Sequence, residues 1–153
     1  MLYQTITKIN VDNARFNIEG IRKAIGPDRK IMVSVKANAY GHGAIEISRL
    51  AEKTGVDWLG VATVPEGIEL RQAGIQLPIL KLSPAFPAAM EAAIEHNISL
   101  TICDKDNIGL LEATCARLDK SLNVHMKIET GMGRIGVAIE EAVQLAEYVE
   151  NKC

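Results

Sequence analysis

Five short apolar runs, partly β-branched, punctuate the chain at residues 31–35, 58–62, 78–82, 99–103 and 124–128, so successive starts lie 27, 20, 21 and 25 residues apart. The stretches between them carry helical patterns. Ala14, Ile18, Ile21 and Ile25 recur at helical spacing after Asp12, a candidate N-cap, and Ala44, Ile47 and Ala51 do the same after Gly43. Ile108, Leu111, Cys115 and Leu118 follow the candidate caps Asp104 and Asp106, and Ile139, Val143, Ala146 and Val149 form a last stripe. Shorter helical stretches at 66–71 and 88–96 fill the remaining gaps.

Strands and helices alternating at this period predict repeated βαβ units and a parallel sheet, hence an α/β fold. A doubly wound sheet would place a glycine fingerprint after its first strand. Here that place holds Lys36-Ala37-Asn38-Ala39-Tyr40-Gly41-His42-Gly43. The reading is therefore a parallel (β/α) barrel of TIM type, incomplete, with about five βα units. A closed barrel needs eight units and roughly 200–250 residues, so residues 1–153 are expected to be the N-terminal part of a larger barrel. Alone, such a piece would bare its strand edges and self-associate.

Composition narrows the partners. With 48% apolar residues, 24% charged and a net charge of -2, the chain has no electrostatic footprint for nucleic acid or an anionic membrane. Small molecules are the expected ligands. Cys103, Cys115 and Cys153 show no paired or zinc-type spacing, which argues against a disulfide framework or a metal site and for a reducing cytoplasm. No apolar run approaches the ~18 residues of a membrane span, and the charged N-terminus does not read as a secretory signal.

Alternation in the first strand puts Ile31, Val33 and Val35 on one face and Met32, Ser34 and Lys36 on the other. If the aliphatic face packs on helices, Lys36 looks into the barrel at the carboxyl end of its strand, where a partly desolvated amine is nucleophilic toward an aldehyde. The competing reading is a strand-end lysine reaching solvent. After it, Tyr40 offers a hydroxyl, and Gly41 and Gly43 open a helix whose free N–H groups suit an anion; ordinary turn chemistry is the alternative for the glycines. His42 reads as a loop residue. In the fifth run Val124, Met126 and Ile128 share one face, and His125, Lys127 and Glu129 the other, which should point into the barrel mouth. A glycine-rich turn then presents Arg134, whose planar fork matches a carboxylate; a solvated edge strand with a surface arginine is the alternative.

At these residues the chain resembles the alanine racemases, fold-type III enzymes that use pyridoxal 5'-phosphate (PLP). Residues 36–43 are similar to their cofactor-attachment motif, and Lys127-Ile-Glu-Thr-Gly-Met-Gly-Arg134-Ile-Gly136 to their second block. Glu129 stands where many members have aspartate. The resemblance implies that Lys36 carries the cofactor and acts as the base on the D-alanine face. It further implies that Tyr40 binds the cofactor phosphate and that Arg134 holds the substrate carboxylate and the phenolic side of the cofactor. Lys127 would be the lysine that many members carbamylate, an anion that could pair with Arg134. The second base of the family is a tyrosine from a C-terminal β domain of the partner subunit in a homodimer, and none of Tyr3, Tyr40 or Tyr148 matches it. The implied activity is cytoplasmic interconversion of L- and D-alanine, supplying D-alanine for peptidoglycan of the cell wall. The chain itself is expected to be an inactive fragment without the β domain. A non-catalytic PLP-binding half-barrel and a related serine racemase are the other readings.

Overall fold

The computed structural model describes residues 6–151; Tyr3 and Cys153 lie outside them. The five runs become five parallel strands: β1 (Met32–Ser34), β2 (Trp58–Val61), β3 (Ile79–Lys81), β4 (Ile98–Ile102) and β5 (Val124–Met126). They form one sheet in the order β1-β2-β3-β4-β5, so each strand pairs with its neighbour in sequence. The helices are α1 (Val11–Ile25), α2 (Lys36–Tyr40), α3 (Ala44–Lys53), α4 (Val64–Gln72), α5 (Pro87–Glu95), α6 (Lys105–Leu118) and α7 (Ile139–Glu150). This is the expected parallel α/β architecture, a partial TIM-type barrel of five units.

Register sorts the side chains into two faces. Val33, Leu59, Ile79 and Ile98 align in one row and Val61, Lys81, Leu100 and Val124 in another. These rows meet the helices: a Cβ on Gly67 of α4 would come within 2.7 Å of Ile98 Cδ1, so helix and sheet approach closely because that residue is glycine. The core lies in this layer, where Leu59, Ile79, Ile98 and Leu100 are sealed from water, each stabilising the fold by about 1.5–3 kcal/mol. The opposite rows run through Ser34, Gly60, Leu80 and Ser99, then Thr101 and His125. Gly60 leaves room there for Leu82, whose side chain would lie 3.1 Å from a Cβ. On this face Trp58 and His125 meet edge to face with ring centres 4.8 Å apart. A flat sheet would hold β2 and β5 about 14 Å apart, at ~4.8 Å per strand spacing; the sheet curls so that this face is concave.

Two expectations are corrected. The N-cap of α1 is Asn10, whose Oδ1 accepts from Asn13 N at 3.0 Å, while Asp12 sits in the first turn. The stripe Ile139, Val143, Ala146, Val149 is not the face that α7 buries: Ala142 and Leu145 are buried, and Ile139 and Val143 stand in solvent. Ile21 of α1 is likewise exposed.

At the N-terminal ends of the strands, half-buried arginines fasten the loops. Arg71 donates to the carbonyls of Ile75 and Leu77 (2.8 Å each), Asn97 (3.0 Å) and His96 (3.2 Å). Arg22 donates to Arg29 O, Gly55 O and Asp57, and Asp57 Oδ2 accepts from Ile31 N at 2.7 Å. No helix among the described residues is long and apolar enough to cross a membrane.

Candidate active site

The candidate chemistry lies at the other end of the strands. β1 stops at Ser34, Val35 N bonds Gly60 O at 2.8 Å, and the chain then winds left-handed: Ala37, Asn38, Ala39 and Tyr40 have φ of 50°, 55°, 52° and 53°. Lys36 therefore opens a left-handed turn, α2, rather than closing the strand. Each L-residue in that region costs roughly 1–2 kcal/mol, so neighbours must hold the turn in place. Four bonds do so. Ala39 N donates to Val35 O (2.8 Å), Gly43 N to Asn38 O (3.0 Å), Ala44 N to Asn38 Oδ1 (2.8 Å) and Ala37 N to Glu66 Oε1 (2.8 Å). Asn38 thereby caps α3, and Ala39 is buried beneath. His42 is spent locally, with Nδ1 2.9 Å from Ala39 O.

The turn folds Tyr40 back over Lys36, whose Nζ lies 5.8 Å from the centre of the Tyr40 ring. Ser34, on the same face, directs its hydroxyl toward the Tyr40 phenol without completing a hydrogen bond of good geometry. The Ser34 hydroxyl, the largest cause, together with the Lys36 ammonium outweighs the opposing effect of burial and holds the exposed Tyr40 phenol below its ordinary value. The expected grouping of Ser34 and Lys36 on the concave face, with Tyr40 beside them, is thus present.

After β5, pairing continues through Lys127 N to Ile102 O at 2.9 Å, and the glycine-rich segment loops back so that Val137 N meets Lys127 O and Glu129 N meets Val137 O, each at 2.9 Å. Gly136 permits this return: at φ 142° a Cβ there would lie 2.6 Å from Glu129 N. Glu129 does not offer its carboxylate to the barrel mouth as expected. It accepts from Gly131 N at 2.6 Å and Arg134 N at 3.2 Å, and the amides of Gly133 and Gly131 above all keep its carboxyl below the usual range. The loop holds Arg134 exposed at the rim. Lys127 and Arg134 stand at the same end of the sheet as Lys36, yet no hydrogen bond or ion pair among the described residues joins them to it or to each other.

Ion pairing among the described residues involves Arg22 with Asp57, Arg49 with Glu46 and Arg117 with Glu91, and it leaves out Lys36, Lys127 and Arg134. Glu66, bonded to the residue after Lys36, and Glu129, bonded to Arg134 N, have their carboxylates engaged by backbone amides. The result is a rim of cations without acidic partners, suited to an anionic ligand. Lys81 makes the contrast. Burial pushes its amine down from the ordinary lysine value, but it stands in the row facing the helices and donates to Ser83 O, Ser83 Oγ and Pro84 O at 2.8–2.9 Å. It shapes a loop and is no candidate nucleophile.

The sequence reading missed Glu66. Its Oε2 accepts from Ala62 N at 2.7 Å and Thr63 N at 3.0 Å, while Oε1 reaches Ala37 beside Lys36. The Thr63-x-x-Glu66 spacing signals a capping box, and that box is formed; nothing local announces the bond to Ala37.

Comparison with known proteins agrees with this geometry. The profile of the alanine racemase N-terminal domain matches residues 9–153. The alanine racemase of Cutibacterium acnes is 50% identical over 130 residues, covering 84% of this chain and 34% of that protein. Alanine racemase 2 of Oceanobacillus iheyensis is 40% identical over 148 residues, covering 96% of this chain and 38% of that protein. Among solved structures, an alanine racemase of Clostridium difficile 630 superposes with a TM-score of 0.88 at 44% identity, covering 92% of this chain and 37% of that one. A histidine racemase of Leuconostoc mesenteroides superposes with a TM-score of 0.83 at 27% identity, covering 94% of this chain and 39% of that one. The chain thus spans between a third and two fifths of the length of these relatives. The lysine-bearing turn, the glycine loop and the partial barrel are those of one family, and the chain belongs to it: the alanine racemases, of which it matches the N-terminal domain.

Proposed function

We propose that this chain is the PLP-binding barrel portion of an amino-acid racemase acting on alanine, with Lys36 as the residue that carries the cofactor. The observation that carries the reading is the left-handed turn that brings the Lys36 amine against Tyr40 on the concave face, at a rim whose cations lack acidic partners. These residues fit PLP. An amine for an aldehyde, two hydroxyls (one on Ser34 with no completed bond) and unpaired cations for anionic groups form a matching donor set. When bound, PLP would supply an aldehyde for the link and an electron-accepting ring for the electron pair left behind when the alpha proton is removed.

The resemblance to the alanine racemases supports the following roles. Lys36 Nζ holds the cofactor and, as a free amine, takes or returns the alpha proton on its own face. Tyr40 presents its hydroxyl to the phosphate, helped by the Ser34 hydroxyl. Arg134 binds the substrate carboxylate through its guanidinium. Lys127, if carbamylated, becomes an anion able to orient Arg134. Racemisation also needs a proton donor on the opposite face, which we assign to a part of the protein outside this chain, a C-terminal β domain acting across a homodimer. Residues 1–153 then form one part of a barrel that is inactive alone, in a cytoplasmic enzyme supplying D-alanine to the cell wall. Since a histidine racemase shares this barrel portion, the choice of side chain falls largely to residues elsewhere, and alanine is favoured by the higher identity to alanine racemases.

The test is the visible absorbance of the chain with added PLP beside its Lys36→Ala variant. A band that is absent in the variant and trapped by borohydride on Lys36 supports the reading. Equal spectra from the two proteins, in this chain and in the full-length protein, would refute it. An intact-mass spectrum of the folded, cofactor-loaded protein checks Lys127 for the mass of an added carboxyl group.

A further inference from the structure

A capping-box glutamate normally serves its own helix: one oxygen returns to the N-cap amide and the other faces solvent. Glu66 departs from that pattern. Its Oε2 completes the box on Thr63 N and also takes Ala62 N, while its Oε1 crosses to α2 and accepts from Ala37 N at 2.8 Å, 29 residues away in sequence. One carboxylate thus ties the C-terminal end of β2 to the first left-handed residue of α2, the one that follows Lys36.

That amide is the point where the backbone changes hand, from Val35 at φ -113° to Ala37 at φ 50°. No glycine stands from Val35 to Tyr40 to make the change easy, so a partner outside the segment must favour it. The other bonds of the turn, from Ala39 N, Gly41 N, His42 N, Gly43 N and Ala44 N, tie it to itself and to α3. Glu66 is the side chain that ties it to the neighbouring strand. Relaxing Ala37 rotates the peptide joined to Lys36 and changes where the Lys36 amine stands relative to Tyr40.

We propose that Glu66 is a positioning residue for the cofactor lysine: its carboxylate holds the left-handed turn, and through it Lys36, in the geometry that receives the cofactor. This rests on the reading of Lys36 given above. Glutamine at 66 has one acceptor oxygen for amides on two sides and turns an NH2 donor toward N–H groups. Aspartate keeps the charge and can still serve the first turn of α4, but is one methylene too short to serve both sides. Thr63→Ala removes the other half of the box, the Thr63 Oγ1 that accepts from Glu66 N at 3.4 Å, and leaves the bond to Ala37 intact.

The experiment uses the full-length protein and compares Glu66→Asp, Glu66→Gln and Thr63→Ala by PLP titration, melting temperature of the cofactor-free form, and kcat and KM for alanine. Both Glu66 variants are expected to weaken PLP binding about ten-fold and lower kcat ten- to a hundred-fold with KM within about three-fold, as a displaced reacting group does. Thr63→Ala is expected to lose a few degrees of melting temperature, as a lost cap does, with PLP affinity and kcat unchanged. PLP affinity and kcat in Glu66→Asp equal to those of Thr63→Ala overturn the proposal, and Glu66→Asp alone decides if Glu66→Gln does not fold. Lys36→Ala in the same series separates the two readings. If it keeps the trapped band, the cofactor-lysine assignment falls and this inference with it. If it loses the band while both Glu66 variants follow Thr63→Ala, only this inference falls.

Discussion

At the N-terminal ends of the strands, Arg71 gives its guanidinium to four backbone carbonyls and Arg22 ties α1 to the starts of β1 and β2 through Asp57. At the C-terminal ends the fastenings are carboxylates: Glu66 collects the amides of Ala37, Ala62 and Thr63, and Glu129 those of Gly131 and Arg134. At the lower end the arginines' donors are spent on carbonyls and, for Arg22, on Asp57, which closes the loops there. Carboxylates serving amides leave Lys36, Lys127 and Arg134 without acidic partners, and the residues around them sit in left-handed or glycine-dependent backbone. One end holds the fold together, and the other gathers strain and positive charge, the division expected of a βα-barrel.

The comparison breaks most visibly at Arg71. Arg71→Ala removes the donors of four carbonyls in a half-buried site, and at about 1.5–3 kcal/mol for a charged hydrogen bond, partly replaced by water, the expected loss is roughly 3 kcal/mol. That corresponds to about 6–12 °C in melting temperature for a chain of this size. PLP affinity of the fraction that stays folded should not change, because the arginine is at the opposite end of the sheet. A parallel loss of affinity would show that the two ends are not independent.

Gly136→Ala is the complementary break at the upper end. A Cβ at φ 142°, 2.6 Å from Glu129 N, forces the return of the loop apart. The cost is about 1–3 kcal/mol, below that of Arg71→Ala, but its functional effect should be larger. Arg134 loses its place, so KM for the amino acid should rise at least ten-fold while the trapped band on Lys36 persists. Steady-state kinetics and borohydride trapping on the full-length protein check this pair of outcomes.

These two residues also mark how far the sequence could be read. Alternation and spacing located every strand within a residue or two and placed Ser34 on the concave face, because a parallel strand covered by helices has little choice of side. The Gly-rich loop after β5 was legible as a turn. The buried face of α7 was not. Ile139 and Val143 are aliphatic yet stand in solvent, while Ala142 and Leu145, three residues apart, form the buried face. Nor could the left-handed turn be read from Ala37-Asn38-Ala39-Tyr40, where only Asn38 favours that region locally. It exists because Val35, Glu66 and α3 together over-determine it, and such agreement among distant parts leaves no local mark. The resemblance to the alanine racemases assigned that segment a role from its residues alone, without its shape.

Acid should loosen both ends, by a smaller and reversible amount. Burial of Glu66 opposes ionisation, but its amide partners outweigh it, and Asp57 is held down first by Ile31 N and then by Arg22. With Glu129 also low, all three carboxyls titrate lower in the folded chain than in the unfolded one. Their contribution is therefore complete above the ordinary carboxylate range, about 3.9–4.3, and is lost as pH falls through the lowered folded values. Melting temperature followed by circular dichroism should be level with respect to these groups from about pH 5 to 8 and decline below about 4. A decline that begins near pH 6 would point to histidine instead.

The smallest effect has an unusual sign. Ala37 is exposed at φ 50°, and as an L-residue there it carries about 1 kcal/mol of strain that glycine would not. Glycine in a right-handed helix costs roughly 0.5–1 kcal/mol relative to alanine, mostly through the freedom of the unfolded chain. In Ala37→Gly the two nearly cancel, so stability should change by about 0–0.5 kcal/mol, with a gain more expected than a loss. If the strain of the upper end positions Lys36, the relaxed turn should nonetheless hold it less firmly. PLP affinity should then fall about two- to three-fold while the melting temperature of the cofactor-free protein holds or rises. Stability and affinity moving in opposite directions at one exposed alanine is what a strained binding end requires, and a fall in both would mean that Ala37 supports the fold as ordinary helix does.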